Sequence, residues 1–256
     1  MNEDRKIREA DGPKVEDGAA LSLLVSDRLS GIHILDLFGE MRIATRPKVP
    51  VPVYGERIIE GLRIWDPHRS KLAALIFKRH QAGGLGDLAD ELNLSPNSRV
   101  LYLGAATGTT ASHVSDLLPR GLVYAVEFSP RAMRDLLGLC QARENIIPIL
   151  EDASHPERYA PFMEPADLVY QDVAQRNQAE IANRNVARYL KPGGTLVLMI
   201  KARSIDVTGD PREVARSEME RLEGVDVISV TDLRPYHQDH WAVVAKRRDR
   251  DPRSAL

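Results

Sequence analysis

The sequence is short of several features that would place it in a common class. It holds one cysteine in 256 residues, Cys140, so no disulfide can form within the chain and a reducing compartment is expected. Cys140 falls in an apolar helical run, which favours a place in the core over a role as nucleophile. No apolar run approaches membrane-spanning length, and the first residues lack the apolar core of a signal peptide. These absences predict a cytoplasmic protein without a membrane partner.

The chain as a whole also lacks net positive charge, since its 35 Lys and Arg are outnumbered by 37 Asp and Glu. The formal net charge is −2, which does not give the global positive field of a protein that grips nucleic acid unaided. The charge is uneven, because the segment from Glu40 to His80 holds nine Lys or Arg against four acids. This local surplus favours contact with a polyanion at one face, and a solvated charged surface is the alternative.

Composition and pattern divide the chain into four parts. Residues 1–18 are mostly charged and small, which predicts a flexible arm. Residues 19–55 contain three short strand-like segments separated by glycine turns, which predicts a small N-terminal β subdomain. Residues 56–248 form the large domain, and 249–256 are a charged tail.

The large domain alternates apolar strand patterns with amphipathic helix patterns. Such alternation predicts an α/β fold with a seven-stranded, mostly parallel sheet and helices on both faces. The predicted strands are Arg99 to Leu103, Leu122 to Glu127, Ile146 to Glu151, Asp167 to Gln171, Thr195 to Ile200, Val225 to Leu233 and Trp241 to Ala245. The predicted helices are Ser70 to Lys78, Thr110 to Leu118, Pro130 to Ala142, Gln178 to Leu190 and Pro211 to Leu222. The glycines at 83, 84 and 86 predict a loop after the first of these helices.

The most informative segment runs from Val100 to Glu127 and reads as strand, small-residue turn, helix and second strand. Gly104 ends the first strand, where the absence of a Cβ permits a sharp turn and the close approach of a ligand. Glu127 ends the second strand, at the position where a carboxylate accepts hydrogen bonds from ribose hydroxyls. The segment therefore predicts half of an adenosine-binding site, and a purely structural turn is the alternative.

The glycine pattern narrows the choice of cofactor. Dinucleotide sites favour G-x-G-x-x-G, in which the second glycine lets the pyrophosphate approach the backbone. The turn from Gly104 to Gly108 reads G-A-A-T-G and lacks that glycine. An adenosine ligand without phosphate, S-adenosyl-L-methionine, therefore fits better than NAD or FAD.

Polar residues follow several other predicted strands. Ligands of such sheets bind outside the carboxyl ends of the strands, so Asp152, Asp172 and Lys201 are expected to converge on one rim. Asp152 is suited to accept a hydrogen bond from an adenine amino group, and Phe128 to lie against the ring. Polar strand ends without a ligand are the alternative for each residue taken singly.

Several motifs closely resemble the fibrillarin family, with a likeness that spans about Leu21 to Lys246. They are Val53-Tyr-Gly-Glu-Arg57, Trp65-Asp-Pro-His-Arg-Ser-Lys71, Thr109-Thr-Ala-Ser-His-Val-Ser-Asp116, Asp172-Val-Ala-Gln175 and Ser204-Ile-Asp206. Fibrillarins are S-adenosylmethionine-dependent 2′-O-methyltransferases of box C/D guide-RNA particles, with a Rossmann-like methyltransferase fold. The Gly/Arg-rich N-terminal tail of eukaryotic members is absent, so the resemblance is to archaeal members.

The resemblance implies roles for individual residues. The predicted cofactor contacts are Gly104, Thr109, Thr110, Glu127, Phe128, Asp152, Ala153, Asp172, Val173, Ala174 and Gln175. The implied catalytic residues are Lys71, Asp172, Lys201 and His240. Lys71 also fits a solvated helix lysine, and His240, whose segment matches over fewer residues, also fits a structural histidine. No metal site is expected, since His237 and His240 have no further ligands at suitable spacing.

The implied activity is 2′-O-methylation of ribose in rRNA, and in tRNA as an extension, directed by a box C/D guide RNA. The implied protein partners are a Nop-domain scaffold protein and a kink-turn-binding protein of the ribosomal L7Ae type. Two rival hypotheses remain. A stand-alone methyltransferase of small molecules or protein side chains would need an added substrate domain, whereas a non-catalytic particle subunit would be expected to lose the reacting lysine and aspartate.

Overall fold

The computed structural model describes residues 21–25 and 31–249. The predicted arm at 1–18 lies outside the described residues, as do all but the first residue of the predicted tail. Within the described part of the chain, no helix is both long and apolar enough to cross a membrane.

Twelve strands and seven α-helices make up the described chain, with one 3₁₀ helix at Pro156–Phe162. The strands are β1 (Leu21–Val25), β2 (Ile32–Leu37), β3 (Glu40–Thr45), β4 (Ile58–Ile59), β5 (Leu62–Trp65), β6 (Arg99–Leu103), β7 (Leu122–Glu127), β8 (Ile146–Leu150), β9 (Ala166–Gln171), β10 (Leu190–Lys201), β11 (Val225–Asp232) and β12 (His240–Arg247). The helices are α1 (Lys71–Gln81), α2 (Leu85–Leu92), α3 (Thr109–Leu117), α4 (Pro130–Cys140), α5 (Gln178–Tyr189), α6 (Ala202–Ile205) and α7 (Pro211–Glu220).

The large sheet has seven strands in the order β11-β12-β10-β9-β6-β7-β8. The five strands from β10 to β8 run parallel, and β12 is antiparallel to both of its neighbours. From β6 the chain proceeds to β7 and β8 on one side, then returns to β9 and β10 on the other. The strand order therefore reverses between β6 and β9, where sheets of this kind open a crevice for a ligand.

Helices cover both faces of this sheet, as the sequence predicts. Successive side chains of β6 alternate between two apolar clusters, so that Val100 and Tyr102 face one cluster and Leu101 and Leu103 the other. Helices α1 to α4 supply the first cluster, whereas α5 and α7 supply the second. The predicted Rossmann-like α/β fold is thereby confirmed.

The N-terminal sheet is antiparallel, in the order β1-β2-β3-β5-β4. It continues to Trp65, past residue 55 where the sequence pattern places the end of the β subdomain. The added hairpin turns at Glu60 and Gly61, which both have positive φ. The first strand of this hairpin, β4, has only two residues, so the sequence shows no alternating pattern by which it could be predicted. Trp65 is fully buried in the same apolar cluster as α1 to α4, so this sheet shares a core with the large domain.

Two other segments differ from the sequence prediction. Helix α2 lies where the glycines at 83, 84 and 86 suggest a loop, because Leu85, Leu88 and Leu92 recur on one face and are buried. Helix α5 ends at Tyr189, and Leu190 already pairs with β9. Strand β10 therefore begins before Thr195, with a break in register between Leu190 and Thr195.

A buried ion network joins the N-terminal sheet to α3. Asp116 of α3 accepts from Arg63 of β5 at 2.6 Å on one oxygen and from Arg143 at 2.6 Å on the other. Arg63 also pairs with Glu56 at 2.6 Å, and its side chain is fully buried. Because each charge has an opposite partner within hydrogen-bond reach, the network fixes the orientation of α3 relative to the sheet.

His113 lies beside this network on the same helix. Its ring stacks on Trp65, with centroids 4.7 Å apart and 10° between planes. Its two nitrogens lie 2.8 Å from the Thr45 hydroxyl and 2.9 Å from the Tyr54 hydroxyl. Burial, reinforced by the positive charges of Arg63 and Arg143, holds the pKa of His113 well below its ordinary value. The folded protein therefore holds this imidazole neutral.

We expect His113 to make stability depend on pH. The unfolded chain takes up a proton at His113 below about pH 6.5, whereas the folded chain does not. Its contribution is therefore fully present above that pH and falls as the pH drops, by up to about 1.4 kcal/mol per unit. Urea unfolding of wild type and His113→Gln at pH 7.5 and 5.5 measures this. The wild type should lose roughly 1 kcal/mol more than the variant, and equal losses would show that the folded imidazole takes up a proton as readily as the unfolded one.

Candidate active site

The predicted site residues meet at the carboxyl ends of the parallel strands, around the turn after β6. Gly104 has φ +82° and donates its N–H to the Val126 carbonyl at 2.9 Å. A Cβ at Gly104 would lie 2.8 Å from the Asp172 carbonyl oxygen, closer than real side chains approach. Glycine at this position therefore lets the turn after β6 lie directly against the segment after β9.

Gly104→Ala should weaken binding of the cofactor that the sequence predicts, S-adenosyl-L-methionine. The added methyl group must displace the backbone at Asp172, and the left-handed conformation itself disfavours alanine by about 1–2 kcal/mol. Gly61→Ala is the matched control, because Gly61 has φ +73° but nothing within 4 Å of the added Cβ. Calorimetric titration with S-adenosyl-L-methionine should show at least a roughly tenfold loss for Gly104→Ala alone. Equal affinity in both variants would show that the close contact between Gly104 and the Asp172 backbone does not matter for cofactor binding.

Helix α3 begins at Thr109, one residue before the predicted start, without a side-chain cap at Gly108. The Thr110 hydroxyl is buried and donates to the Ser70 hydroxyl at 2.9 Å. Ser70 in turn caps α1 by accepting from the Ala73 N–H. This contact ties the starts of two helices together and places Lys71, the first residue of α1, beside the glycine turn.

Glu127 and Phe128 lie at the end of β7. The Glu127 carboxylate is 6% exposed, and its two oxygens accept from the Ala106 and Ser129 N–H groups at 2.8 Å each. Each oxygen keeps a further lone pair, so the carboxylate is held in place and can still accept from a ligand hydroxyl. The Phe128 side chain is 67% exposed, which leaves an aromatic surface open beside that carboxylate.

Asp152, after β8, and Gln175, after β9, are joined by hydrogen bonds. The Gln175 amide donates to Asp152 at 3.2 Å, and Ser154 bonds to both side chains. Burial raises the pKa of Asp152, but the bonds from Ser154 and Gln175 outweigh it and leave the pKa below its ordinary value. Asp152 is thus an ionised acceptor at neutral pH. Ala153, next to Asp152, and Val173, two residues before Gln175, are both buried.

Two lysines from distant parts of the chain meet at the Asp172 carboxylate. Lys201 Nζ, at the end of β10, lies 2.8 Å from Asp172 Oδ1 and donates to the Asp172 carbonyl at 2.9 Å. Lys71 Nζ lies 3.2 Å from the same carboxylate. All three side chains are less than a fifth exposed, so their charges interact with little screening.

The balance of charge in this cluster is positive, with two ammonium groups for one carboxylate. Burial lowers the pKa of Lys71, and the neighbouring Lys201 adds to that effect while Asp172 opposes it. A partly buried surplus of positive charge suits an oxygen on which negative charge develops. The cluster can therefore stabilise an oxyanion next to the glycine turn.

His240 completes the set implied by the resemblance. It opens β12 directly opposite Lys201 in the β10–β12 pairing, and its ring lies 5.9 Å from that of His237. Burial lowers the pKa of His240, as does the charge of Lys71. The structure thus brings all four predicted catalytic residues to one place. Among the described residues, no group of three or more His, Cys, Asp or Glu is arranged to hold a metal ion.

Sequence reasoning missed one residue of this site, Gln178. Its fully buried amide accepts from the Lys201 N–H at 3.0 Å and donates to the Gln175 carbonyl at 3.0 Å. It therefore ties the segment after β9 to the end of β10. Gln178 is a polar residue at the start of α5, so the sequence gives no sign that it is buried. Its role becomes visible only in the structure, where the ends of β9 and β10 lie side by side.

Known proteins resemble this chain over most of its length. The fibrillarin family model matches residues 24–249. A fibrillarin-like rRNA/tRNA 2′-O-methyltransferase of Methanothrix thermoacetophila is 54% identical over 219 residues, covering 86% of this chain and 97% of that protein.

Solved structures agree with this match. Aeropyrum pernix fibrillarin, in complex with natively bound S-adenosyl-L-methionine, aligns with TM-score 0.76 and 44% identity over 89% of this chain and 99% of that chain. A fibrillarin/Nop5p complex aligns with TM-score 0.76 and 43% identity over 85% of this chain and 98% of that chain. Family match, sequence identity and fold coincide, and the chain belongs to the fibrillarin family.

Proposed function

We propose that this chain is an S-adenosyl-L-methionine-dependent methyltransferase that methylates the 2′-hydroxyl of ribose in rRNA. The observation that carries the proposal is the cluster of Lys71, Asp172 and Lys201 beside the glycine turn at Gly104. Relatives about half identical over most of the chain are named for this activity on rRNA and tRNA, so tRNA is a second proposed substrate.

The residues around the glycine turn fit the cofactor. A buried, fixed carboxylate at Glu127 suits two ribose hydroxyls, and the exposed ring of Phe128 suits an adenine face. The ionised Asp152 suits the adenine amino group, and its neighbour Ala153 is buried. Gly104, Thr109, Thr110 and the segment Asp172 to Gln175 line the rest, as the family pattern implies. Because Thr110 donates to Ser70, its contribution is to hold the helix start.

The reaction needs alignment and charge stabilisation more than strong acid–base chemistry. When bound, S-adenosyl-L-methionine supplies a methyl group on a sulfonium, which is already electrophilic. Lys201 orients the ribose hydroxyl and stabilises the negative charge that develops on its oxygen as the hydroxyl proton passes to solvent water. Asp172 holds Lys201 in place, and Lys71 adds positive charge or contacts a neighbouring phosphate.

The nucleotide to be methylated is selected by other components of the particle, and not by this chain. A net charge of −2 gives little sequence-independent grip on RNA, so base pairing with a box C/D guide RNA selects the nucleotide in this proposal. A Nop-domain scaffold protein docks the enzyme, as the fibrillarin/Nop5p complex supports. The second proposed protein partner is a kink-turn-binding protein of the L7Ae type. The proposed location is the cytoplasm.

Labelled methyl transfer to a guide-matched RNA tests the function. The assay uses the purified chain with and without guide RNA, scaffold protein and kink-turn-binding protein, and maps the modified nucleotide. We expect one 2′-O-methyl group at the guide-specified position, formed only by the complete particle. Transfer that ignores guide and partners would favour a stand-alone methyltransferase, and no transfer in any combination would favour a non-catalytic subunit.

A further inference from the structure

A cavity, here called the rim cavity, opens between the N-terminal sheet and α1, and its wall reaches to Arg69, two residues before Lys71. It has a volume of about 590 Å³, in the range typical of small-ligand sites. None of the predicted cofactor contacts lines it. Its wall includes the segment Asp66 to Arg69, which leads directly into the Ser70 cap and Lys71, and Tyr236 of the loop before His240. The rim cavity therefore lies next to the segments that carry Lys71 and His240, and it is separate from the predicted cofactor contacts.

The rim cavity carries aromatic surfaces in an open arrangement. Tyr236 lies edge-on to His68, with ring centroids 5.0 Å apart, and to Phe77, with centroids 6.0 Å apart. Tyr54 also lines the cavity, and the Arg69 guanidinium lies 4.9 Å from its ring centroid. Rings and guanidinium planes at a solvent-accessible wall are the surfaces on which nucleic-acid bases stack.

The charge of the rim cavity is positive once internal pairs are considered. Of its two acids, Glu56 pairs with buried Arg63, whereas Asp66 accepts only the His68 N–H at 2.8 Å and keeps its negative charge, which leaves two guanidinium groups, Arg57 and Arg69, against one free carboxylate. Arg57 and Arg69 are both exposed, and no carboxylate of the described chain forms an ion pair with either. Two guanidinium groups without acidic partners suit phosphate oxygens.

The position of the rim cavity relates these surfaces to the reaction. His237, next to Tyr236, lies with Nε2 2.9 Å from the Pro67 carbonyl, so the aromatic loop and the segment before Lys71 are held together. A strand whose target ribose reaches Lys71 and Lys201 must continue across the surface next to them. The rim cavity offers that strand both stacking and phosphate contacts.

We propose that the rim cavity binds the nucleotide adjacent to the target ribose on the RNA strand being methylated. The base packs against Tyr236, and Arg57 and Arg69 contact the backbone phosphates. The inference rests on the proposed function and adds a positioning subsite to it. Tyr236, Arg57 and Arg69 hold the strand so that the target ribose stays in register with the catalytic lysines.

The first test uses Tyr236→Ala in the assembled, guide-loaded particle. Loss of one stacked base should raise KM for the target RNA by roughly 5- to 100-fold while KM for S-adenosyl-L-methionine stays unchanged. Tyr236→Phe keeps the ring and should restore the RNA KM, which separates stacking from the hydroxyl. Phe162→Ala is the control, since Phe162 is 62% exposed and does not line the rim cavity. Melting curves of each variant report whether the fold is retained.

The second test reads the contacts directly. Target RNAs carry 2-aminopurine at either neighbour of the target nucleotide, and its fluorescence should be quenched at one of the two positions in wild type but not in Tyr236→Ala. Arg57→Gln combined with Arg69→Gln should reduce the salt dependence of RNA binding, lowering the slope of log K against log salt by about 1–2. These exposed side chains can be replaced without opening the core.

The outcomes separate the two proposals. Guide-directed methylation by wild type, with unchanged RNA KM in the variants and no quenching at either position, overturns the subsite and leaves the proposed function intact. Failure of wild type to methylate the guide-matched RNA in the complete particle overturns both.

Discussion

Replacing Lys201 by methionine should lower methyl transfer to guide-matched RNA by roughly 10²–10³-fold, the usual cost of removing one donor to a developing oxyanion. Methionine keeps the length of the side chain and removes only the ammonium group that lies 2.8 Å from Asp172. The cofactor pocket around Glu127 and Asp152 is untouched, so affinity for S-adenosyl-L-methionine should change little. Single-turnover transfer measures the first effect, and calorimetric titration the second.

Lys191→Met is the matched control for that variant. Lys191 lies near the other end of the same strand, β10, and pairs with Asp167 at 2.5 Å, so it repeats the lysine–aspartate pair away from the site. Transfer by Lys191→Met should equal that of wild type. Wild-type turnover in Lys201→Met would remove Lys201 from the mechanism, and equal losses in both variants would indicate a general effect on the strand.

The positions of the residues proposed to bind the cofactor were predictable from the sequence because their determinants are local. Strands β6 and β7 have the predicted bounds, since each is an apolar run closed by a small or acidic residue. Gly104 and Glu127 follow from those two strand ends. The convergence of Asp172 and Lys201 follows from the rule that parallel strands end at the same edge of a sheet, and the structure confirms it at 2.8 Å.

Other features depend on tertiary contacts and leave no local pattern. Helix α2 follows glycines that usually mark a loop, and its apolar face becomes evident only when buried. Gln178 and Arg63 are polar residues of types that are mostly exposed, yet both are fully buried. Their burial is tolerated only because partners arrive from other segments, and a single sequence does not show which segments meet. The rim cavity could not be predicted for the same reason, because its walls come from five separate parts of the chain.

The buried network at Asp116 should dominate the response of this protein to destabilising substitutions. Asp116→Asn keeps the shape of the side chain but removes the charge shared by Arg63 and Arg143, both at 2.6 Å. Two buried guanidinium groups then share too little negative charge, and breaking such a network typically costs about 3–5 kcal/mol. Urea unfolding followed by circular dichroism should show a lower midpoint with a similar slope.

Asp226→Asn provides the comparison, because Asp226 pairs with Arg248 at 2.8 Å where both side chains are mostly exposed. Exposed pairs contribute about 0–1 kcal/mol, so this variant should unfold close to wild type. Equal stability of the two variants would show that the buried charges contribute no more than surface ones. The distinction also bears on function, because Asp116 and Thr109 belong to the same helix. Releasing one end of α3 from the N-terminal sheet loosens the other end at the cofactor turn, so folded Asp116→Asn should bind S-adenosyl-L-methionine more weakly than folded Asp226→Asn.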